Sequence, residues 1–326
     1  VYSNEDPDNV TAMFISEMAR IHADMMTCYE ENQHPIDMSK EDVVNFKSAT
    51  TCHICQKELQ WDSATNYPVR DHDHTKKENN YRGAACNICN RNYFERTKKV
   101  PAFCHNLKGY DMNLFLLDLI KTVEKIDVIP ETIEKFKAVY TDDFIFLDSF
   151  AFLSSSLDKL VKSSGPDTFK RLKKEFPEHH QQLSSKGVYF YDYASSYSVF
   201  SETSLPPKEA FYSKLTEEHI SDKDYQRAQE VYQKTGCNTL LDYMRLYVKT
   251  DAVILCDVFE SFRKLCMEYY GLDPCHYMSL PAFSWDAMLK MTGIQLEYIT
   301  DIDMYTFIED NLRGGVTTIN HRQFKA

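Results

Sequence analysis

The fold is decided by the stretch Pro101-Ala102-Phe103-Cys104-His105-Asn106-Leu107-Lys108-Gly109-Tyr110-Asp111. Its apolar start predicts a buried strand that ends in a polar loop, and the apolar spacing from Met112 to Ile120 predicts a helix just past Asp111. Further along, Phe144-Ile145-Phe146-Leu147-Asp148 predicts another strand, and the segment from Asn238 to Tyr270 predicts a long helix. Strands that alternate with helices are typical of an α/β domain.

Two carboxylates in these elements suit metal binding. Asp111 stands at the predicted junction of a strand and a helix, where it is well placed to hold a metal ion over a sheet edge. Tyr247 and Asp251 are four residues apart, so they lie on one face of the long helix. In a metal-dependent 3′–5′ exonuclease, Asp251 would coordinate a divalent cation and Tyr247 would orient the attacking water. Taken alone, a tyrosine and an aspartate at this spacing are more often an amphipathic surface pair.

Four cysteines form two C-x-x-C pairs, Cys52 with Cys55 and Cys86 with Cys89. The pairs are about 30 residues apart, and each supplies two thiolates from one tight turn, as in a tetrahedral structural Zn²⁺ site. The alternative is a disulfide or a set of reduced core cysteines. Because the other six cysteines show no framework spacing and no signal peptide accompanies them, the pattern favours zinc.

The segment Val69-Arg70-Asp71-His72-Asp73-His74 lies between the two pairs, and Asn90 directly follows the last cysteine. Over roughly residues 50–95 these features resemble the HNH (ββα-metal) nucleases of the phage recombination endonuclease VII type. The resemblance implies that Asp71 and Asn90 hold a catalytic Mg²⁺ and that His72 is the base. A hard cation on oxygen ligands and a base near neutral pH suit phosphodiester hydrolysis. The alternative is a polar hairpin that grips DNA without cleaving it.

Composition and charge point to an intracellular globular protein with a local DNA-binding surface. The chain has 326 residues, of which 43% are hydrophobic and 13% aromatic, and this is enough for two or more domains. The net charge of −12 argues against a general nucleic-acid coat. Basic residues nevertheless cluster around the second cysteine pair, where they predict phosphate attraction or a solvated charged face: Arg70, Lys76, Lys77, Arg82, Arg91, Arg96, Lys98, Lys99 and Lys108. No apolar stretch approaches the ~20 residues of a membrane helix, so no membrane partner is expected, and the expected location is the nucleus or cytoplasm.

Several motifs, in order, resemble the exonuclease region of family B DNA polymerases of the organellar and viral, protein-primed type. The resemblance is closest to polymerases of Polinton/Maverick-like elements, and it extends from about residue 10 to Ala326. The motifs that carry it are His105 to Asp111, Phe146 to Phe150, Glu202 to Tyr212, Tyr247 to Asp251 and Tyr269 to Pro274.

The resemblance assigns further roles. It makes Asn106, Tyr110 and Asp111 the second exonuclease motif and makes Tyr247 with Asp251 the third. The stretch from Ser156 and Leu157 resembles a motif that holds single-stranded DNA and the terminal protein, although Ser156 could simply cap a helix. Arg313-Gly314-Gly315 resembles the hinge between the exonuclease and polymerase modules, where Gly314 and Gly315 would let the backbone approach the template; an ordinary turn is the alternative.

Two parts of the family pattern are not found. No Asp-x-Glu first exonuclease motif precedes Asp111, and without it the two-metal site is incomplete. No D-x-x-S-L-Y-P or Y-x-D-T-D palm motif follows Gly315. Because the chain also opens on Val1 and not on methionine, we expect it to be an excerpt of a larger enzyme.

The expected fold is α/β, with an RNase H-like 3′–5′ exonuclease core, an inserted zinc-bound ββα module and N-terminal helices. The expected organisation is a helical segment at 1–50, the zinc module at 51–95, the exonuclease domain at 96–270, and a linker toward the polymerase palm at 271–326.

The expected function is that of a fragment of a DNA-directed DNA polymerase, which contributes DNA binding and 3′–5′ proofreading to DNA replication. The expected cofactors are structural Zn²⁺ and catalytic Mg²⁺ or Mn²⁺. The expected partners are single-stranded and primer-template DNA, dNTPs in the intact enzyme, and a terminal protein primer. Two rivals are an HNH-type Mg²⁺-dependent endonuclease and a non-catalytic DNA-binding relic of a transposon.

Overall fold

A computed structural model describes residues 7–96, 99–132, 135–165 and 167–312. The predicted hinge glycines Gly314 and Gly315 lie outside these residues. The chain divides into two compact units, Val1–Phe283 and Ser284–Ala326. None of the described helices is both long enough and apolar enough to cross a membrane.

The secondary structure is mixed. The helices are α1 (Pro7–Glu31), α2 (Lys40–Ser48), α3 (Asn87–Arg96), α4 (Asp111–Thr122), α5 (Leu157–Ser163), α6 (Lys170–Glu175), α7 (His180–Leu183), α8 (Asp222–Lys234), α9 (Leu240–Tyr270), α10 (Leu280–Thr292) and α11 (Ile302–Asn311). The strands are β1 (Pro68–His72), β2 (Tyr81–Cys86), β3 (Val100–Cys104), β4 (Asp127–Pro130), β5 (Phe136–Tyr140) and β6 (Phe144–Asp148). These elements confirm the α/β class and the strands and helices that the sequence predicts around Asp111, Asp148 and Tyr247.

The larger sheet has the strand order β3-β6-β5-β4. Strands β4, β5 and β6 form an antiparallel meander, whereas β3 runs parallel to β6 in a register that pairs Cys104 with Asp148. Parallel strands end at the same edge of a sheet. The loop that carries the predicted second exonuclease motif therefore begins beside the end of β6.

Helices α1 and α4 pack on this sheet through a shared hydrophobic core cluster. The buried side chains of α4 are Met112, Phe115 and Leu119, which recur at helical spacing and face Val139 and Phe146. The N-terminal helix α1 adds its own partly buried apolar residues to this cluster, where the rings of Phe14 and Phe115 are 5.2 Å apart.

A second, smaller core lies under the two-stranded sheet of β1 and β2. The strands are antiparallel, and α3 packs against both, so this part has the chain order ββα. Its core includes Cys52 and Cys86 together with Phe46 of α2. A capping box opens α2: the Ser39 hydroxyl accepts from the Asp42 backbone N–H, and the Asp42 carboxylate accepts from the Ser39 backbone N–H.

Helix α9 extends over 31 residues and contributes to two further core clusters. One of them contains Ile254 and Val258, and the other contains Leu240 and Tyr243. A capping box at Thr239 and Asp242 starts the helix, and Gly271 ends it in the left-handed conformation at φ 59°. In its middle, the buried Asp257 accepts from the backbone N–H groups of Arg171 and Leu172 at the start of α6. These contacts hold the helix that carries Tyr247 and Asp251.

In the second unit, α11 begins after Asp301, whose carboxylate accepts from the backbone N–H of Met304. The sequence predicts a linker over residues 271–326, and part of that region is helical. This helical content was not foreseen from the sequence.

Candidate functional site

The four predicted zinc cysteines come together. The Sγ atoms of Cys52, Cys55, Cys86 and Cys89 all lie within 4.8 Å of one another, and all ten cysteines of the chain are free. Within the part of the chain that the structure describes, this is the one group of three or more Cys, His, Asp or Glu side chains able to hold a metal ion. Four converging thiol sulfurs fit a closed, tetrahedral zinc site.

Backbone N–H groups support the thiolates. Cys52 Sγ accepts from the N–H groups of Cys55 at 3.5 Å and Cys86 at 3.3 Å, and Cys86 Sγ accepts from the N–H of Cys89 at 3.5 Å. Burial raises the pKa of Cys52, but hydrogen bonds from the backbone N–H groups of Cys55, Cys86 and Ile54 and from the Cys55 side chain outweigh it and bring the pKa to about 7. Such N–H groups favour the ionised form that binds metal.

The predicted HNH residues lie at the end of the hairpin beside this cluster. Asp71 is 5% exposed, and the pairing register shifts between Asp71 and His72. Such an irregularity re-aims the side chains next to it. The His72 ring is 4.1 Å from the ring of His74, and its Nδ1 lies 3.2 Å from the Arg70 carbonyl oxygen. Asn90 belongs to the first turn of α3, the helix that packs on the hairpin.

Burial and nearby positive charges in the hairpin disfavour the protonated form of one histidine. Burial lowers the pKa of His74, and the neighbouring His72 and Arg82 lower it further. Asp73 accepts from the backbone N–H and hydroxyl of Thr75 and lies 3.5 Å from Arg82. The hydrogen bonds from Thr75 hold the pKa of Asp73 below its usual value, against the effect of burial.

Asp148 shapes the loop of the predicted second exonuclease motif. This carboxylate is 2% exposed and accepts from three backbone N–H groups: those of Asn106 at 2.8 Å, Phe150 at 2.9 Å and Lys108 at 3.3 Å. Two of these donors belong to the motif loop and one belongs to the turn after β6. Asp148 therefore ties the two strand ends together.

Within that loop, the predicted DNA-binding residues have different exposures. Asn106 adopts the left-handed conformation at φ 64°, and its side chain packs so closely on Gly109 that a Cβ there would be 2.6 Å from Oδ1. Tyr110 is 64% exposed. Burial raises the pKa of Asp111, and the negative charge of Asp148 raises it further. Asp111 thus lies in a negative, partly desolvated site, and such a site favours the binding of a cation.

Aromatic side chains enclose Tyr247 of the predicted third exonuclease motif. The Tyr247 ring stacks on Tyr189 at 5.0 Å, and its hydroxyl is 2.6 Å from that of Tyr191. On another side lies Gly187, where a Cβ would approach the Tyr247 ring to 2.6 Å. Only glycine therefore fits at this position without displacing the ring. Burial raises the pKa of Tyr247, as does the charge of Asp251.

Asp251 carries an unusual buried group. Its Oδ1 is inaccessible to solvent and has no hydrogen-bond partner. Burial raises the pKa of Asp251, while the charge of Lys186 and contacts with Tyr247 and the Gly187 N–H lower it. A buried, unpaired carboxylate oxygen costs free energy unless a proton or a cation meets it. Its chemistry fits a ligand of a divalent cation.

Among the described residues, neither Asp111 nor Asp251 belongs to a group of three or more metal-binding Cys, His, Asp or Glu side chains. Their elements are nonetheless joined: Phe259 of α9 packs on Phe103 of β3 with ring centres 4.2 Å apart. Sequence reasoning missed Lys186, which precedes Asp251 by 65 positions in the chain. Its position just before Gly187 in a tyrosine-rich segment gave no signal by itself.

The two residues of the predicted terminal-protein motif begin α5. The Ser156 hydroxyl accepts from the backbone N–H of Lys159 at 3.5 Å, as a helix N-cap does. Leu157 is buried in the core cluster that includes Ile254 and Val258 of α9. Ser156 is therefore the accessible member of this pair.

Comparison with family models matches residues 89–325 to the organellar and viral DNA polymerases of type B. No curated protein and no solved structure matches the chain. The match covers more than half of the chain, including Asp111, Asp148, Tyr247 and Asp251, while most of the zinc module lies before it. The members are DNA polymerases, that is, nucleotidyltransferases whose partner is DNA. The chain belongs to the type B DNA polymerase family of the organellar and viral type.

Proposed function

We propose that this chain supplies 3′–5′ exonuclease proofreading and single-stranded DNA binding to a protein-primed polymerase, from an RNase H-like core. The observation that carries the proposal is the buried, unpaired Oδ1 of Asp251 beside Tyr247. It is supported by Asp111, whose pKa burial and Asp148 raise at the edge where β3 and β6 end. Asp111 and Asp251 would hold a divalent cation, Mg²⁺ or Mn²⁺, which when bound stabilises charge that develops on the phosphate.

The protein groups around this site have distinct tasks in the proposal. Asp148 is a positioning residue, since it fixes the loop that carries Asn106 and Asp111. Tyr247 would orient the attacking water through its hydroxyl, and the Tyr189 ring beneath it restricts its rotation. Lys186 supplies a positive charge near Asp251. That charge favours the ionised carboxylate, which is the form that binds a cation.

DNA would approach from the exposed side of the motif loop. Tyr110 presents most of its ring to solvent and can stack on an unpaired base. Asn106 and Ser156 would add polar contacts, and Gly314 with Gly315 would act toward the template in the intact enzyme. The dNTPs and the terminal protein primer are partners of that complete polymerase.

The decisive variant is Asp251→Ala in the complete polymerase. We expect the rate of 3′–5′ degradation of a single-stranded 5′-labelled oligonucleotide to fall at least about a hundredfold, because a metal ligand is lost. Primer extension by the same preparation should remain within about twofold of the wild-type rate, since the polymerase metals would be held elsewhere.

Glu268→Ala is the matched control, because Glu268 is an exposed carboxylate on the same helix. It should leave both rates unchanged. Undiminished degradation by the Asp251→Ala enzyme would contradict the assignment of the third motif.

A second candidate function, Mg²⁺-dependent DNA cleavage of the HNH type, is favoured by the ββα order of β1, β2 and α3. This arrangement places Asp71 and His72 on one strand of the hairpin and Asn90 on the helix that packs against it. Carboxylate and amide oxygens are ligands that Mg²⁺ accepts. In this proposal His72 takes a proton from water, and Asp71 and Asn90 hold the ion, which when bound stabilises the phosphate charge.

His72→Ala tests this second function. We expect nicking of supercoiled plasmid in Mg²⁺ to fall about 10²–10⁴-fold, the usual contribution of a general base. His276→Ala, at an exposed histidine outside the zinc module, should nick at the wild-type rate. If the wild-type protein binds DNA in a zinc-dependent way but never nicks it, the module serves binding alone.

A further inference from the structure

One buried contact in the zinc module takes no part in the functions proposed above. His53 belongs to the first C-x-x-C turn, and its Nε2 lies 2.9 Å from Oδ2 of Asp71. Asp71 is almost completely buried, whereas His53 is one-third exposed. An ionised carboxylate can only accept, so the ring nitrogen that faces Asp71 must carry the proton.

The backbone around His53 is arranged to keep this ring in place. The His53 N–H donates to the Ala84 carbonyl at 2.9 Å, which ties the zinc turn to β2. The ring lies over Gly83, where an added Cβ would be 2.8 Å from His53 Cγ. Gly83 has φ +155°, a conformation that favours glycine, and it pairs with Asp71 across the hairpin. The hairpin therefore has a space shaped for this ring beside this carboxylate.

This contact engages one of the two oxygens of the Asp71 carboxylate. Oδ2 is engaged by His53, so Oδ1 is the oxygen through which Asp71 would ligate a cation. A hydrogen bond to one oxygen fixes the rotation of the carboxylate about its side-chain bonds and so fixes the direction of the other. Partners of this kind hold metal ligands in orientation in many metal sites.

We propose that His53 is a positioning residue that orients Asp71 toward a divalent cation, and that it thereby links the zinc site to the cleavage site. The two sites are adjacent in the chain at this point: Cys52 would bind zinc, and the next residue, His53, contacts Asp71, which would bind the second metal ion. This inference rests on the second candidate function, in which Asp71 binds Mg²⁺.

The test measures Mn²⁺ affinity in the full chain with zinc bound, by electron paramagnetic resonance of free Mn²⁺. The site is identified as the Mn²⁺ that is lost in Asp71→Asn. We expect His53→Ala to weaken this site about 10–100-fold, the usual effect of removing a partner of a metal ligand. His53→Gln, whose amide N–H can replace the Nε2 donor, should restore most of the affinity. His53→Asn is the matched control, because its shorter side chain cannot reach Asp71 and should behave like alanine.

Zinc content, measured by elemental analysis, must stay at one ion per chain in each variant that is compared. Wild-type affinity in His53→Ala with zinc intact would overturn the positioning role while leaving the Asp71 site in place. A wild-type protein without any Asp71-dependent Mn²⁺ would instead refute the second candidate function, and the inference with it.

A second measurement covers the case in which His53 variants lose zinc. In ¹H–¹⁵N spectra of the wild-type protein, the His53 Nε2–H should exchange slowly with water, because it is bonded to a buried carboxylate. The signal should be lost in Asp71→Ala with zinc still bound. A His53 ring without a protected Nε2–H in the wild-type spectrum would overturn the proposal.

Discussion

Removal of zinc is expected to unfold the zinc module and to leave the four-stranded sheet folded. Two of the predicted ligands, Cys52 and Cys86, are also core residues of the module, so loss of the ion should disrupt the core. The core around β3 to β6 contains none of the zinc cysteines. Structural zinc contributes roughly 10–16 kcal/mol in isolated finger peptides, which is more than a small domain can replace by packing.

Hydrogen–deuterium exchange with and without a chelator measures this separation. Peptides from residues 51–91 should lose their protection in the chelator and in Cys86→Ser, whereas peptides from β3, β5 and β6 should keep it. Cys256→Ser is the matched control, since Cys256 is exposed on α9 and far along the chain from the four ligands. Full protection of the hairpin in metal-free protein would show that the cysteines act as ordinary core residues.

The second large effect is expected at Asp148. Replacing it by alanine leaves the N–H groups of Asn106, Lys108 and Phe150 without their acceptor. An unsatisfied donor costs about 1–3 kcal/mol when it is buried; these three donors are partly buried, so the variant should lose about 3 kcal/mol, the lower end of their sum. Asp148→Asn should have an intermediate effect, because asparagine keeps one acceptor oxygen. Its NH₂ group takes the place of the other oxygen and cannot accept from a backbone N–H.

Thermal unfolding and amide exchange over residues 105–111 measure this loss. Asp142→Ala provides the control, because Asp142 is an exposed carboxylate two residues before β6. If the proposed exonuclease function is correct, the Asp148→Ala enzyme should lose that activity as well, although Asp148 would not touch the substrate. A variant with wild-type exchange in the loop would contradict the positioning role of this carboxylate.

The elements around the motifs could be predicted because their signals are local. The apolar spacing after Asp111 is contained in a few residues, and the helix that it predicts is confirmed. The cysteine cluster could also be predicted, since the spacing of two C-x-x-C pairs is typical of a four-cysteine metal site.

The contacts that complete the sites could not be predicted, because they join residues distant in the chain. Asp148 reaches the Asn106 loop across 42 positions, and that contact depends on the parallel register of β3 and β6. The charge of Lys186 near Asp251 and the bond from His53 to Asp71 likewise depend on tertiary packing. The antiparallel β4–β5 pair was also missed, since its short strands carry little apolar alternation.

Pro101 lies in β3, which is the outer strand of the described sheet. The Val100 N–H donates inward to the Asp143 carbonyl, so strand alternation turns position 101 outward. Proline has no N–H there, which leaves few donors on the free side of a short strand. An edge of this kind is a poor template for a strand from another molecule. The protein thus carries, next to its candidate nuclease loop, a built-in protection against aggregation through its sheet.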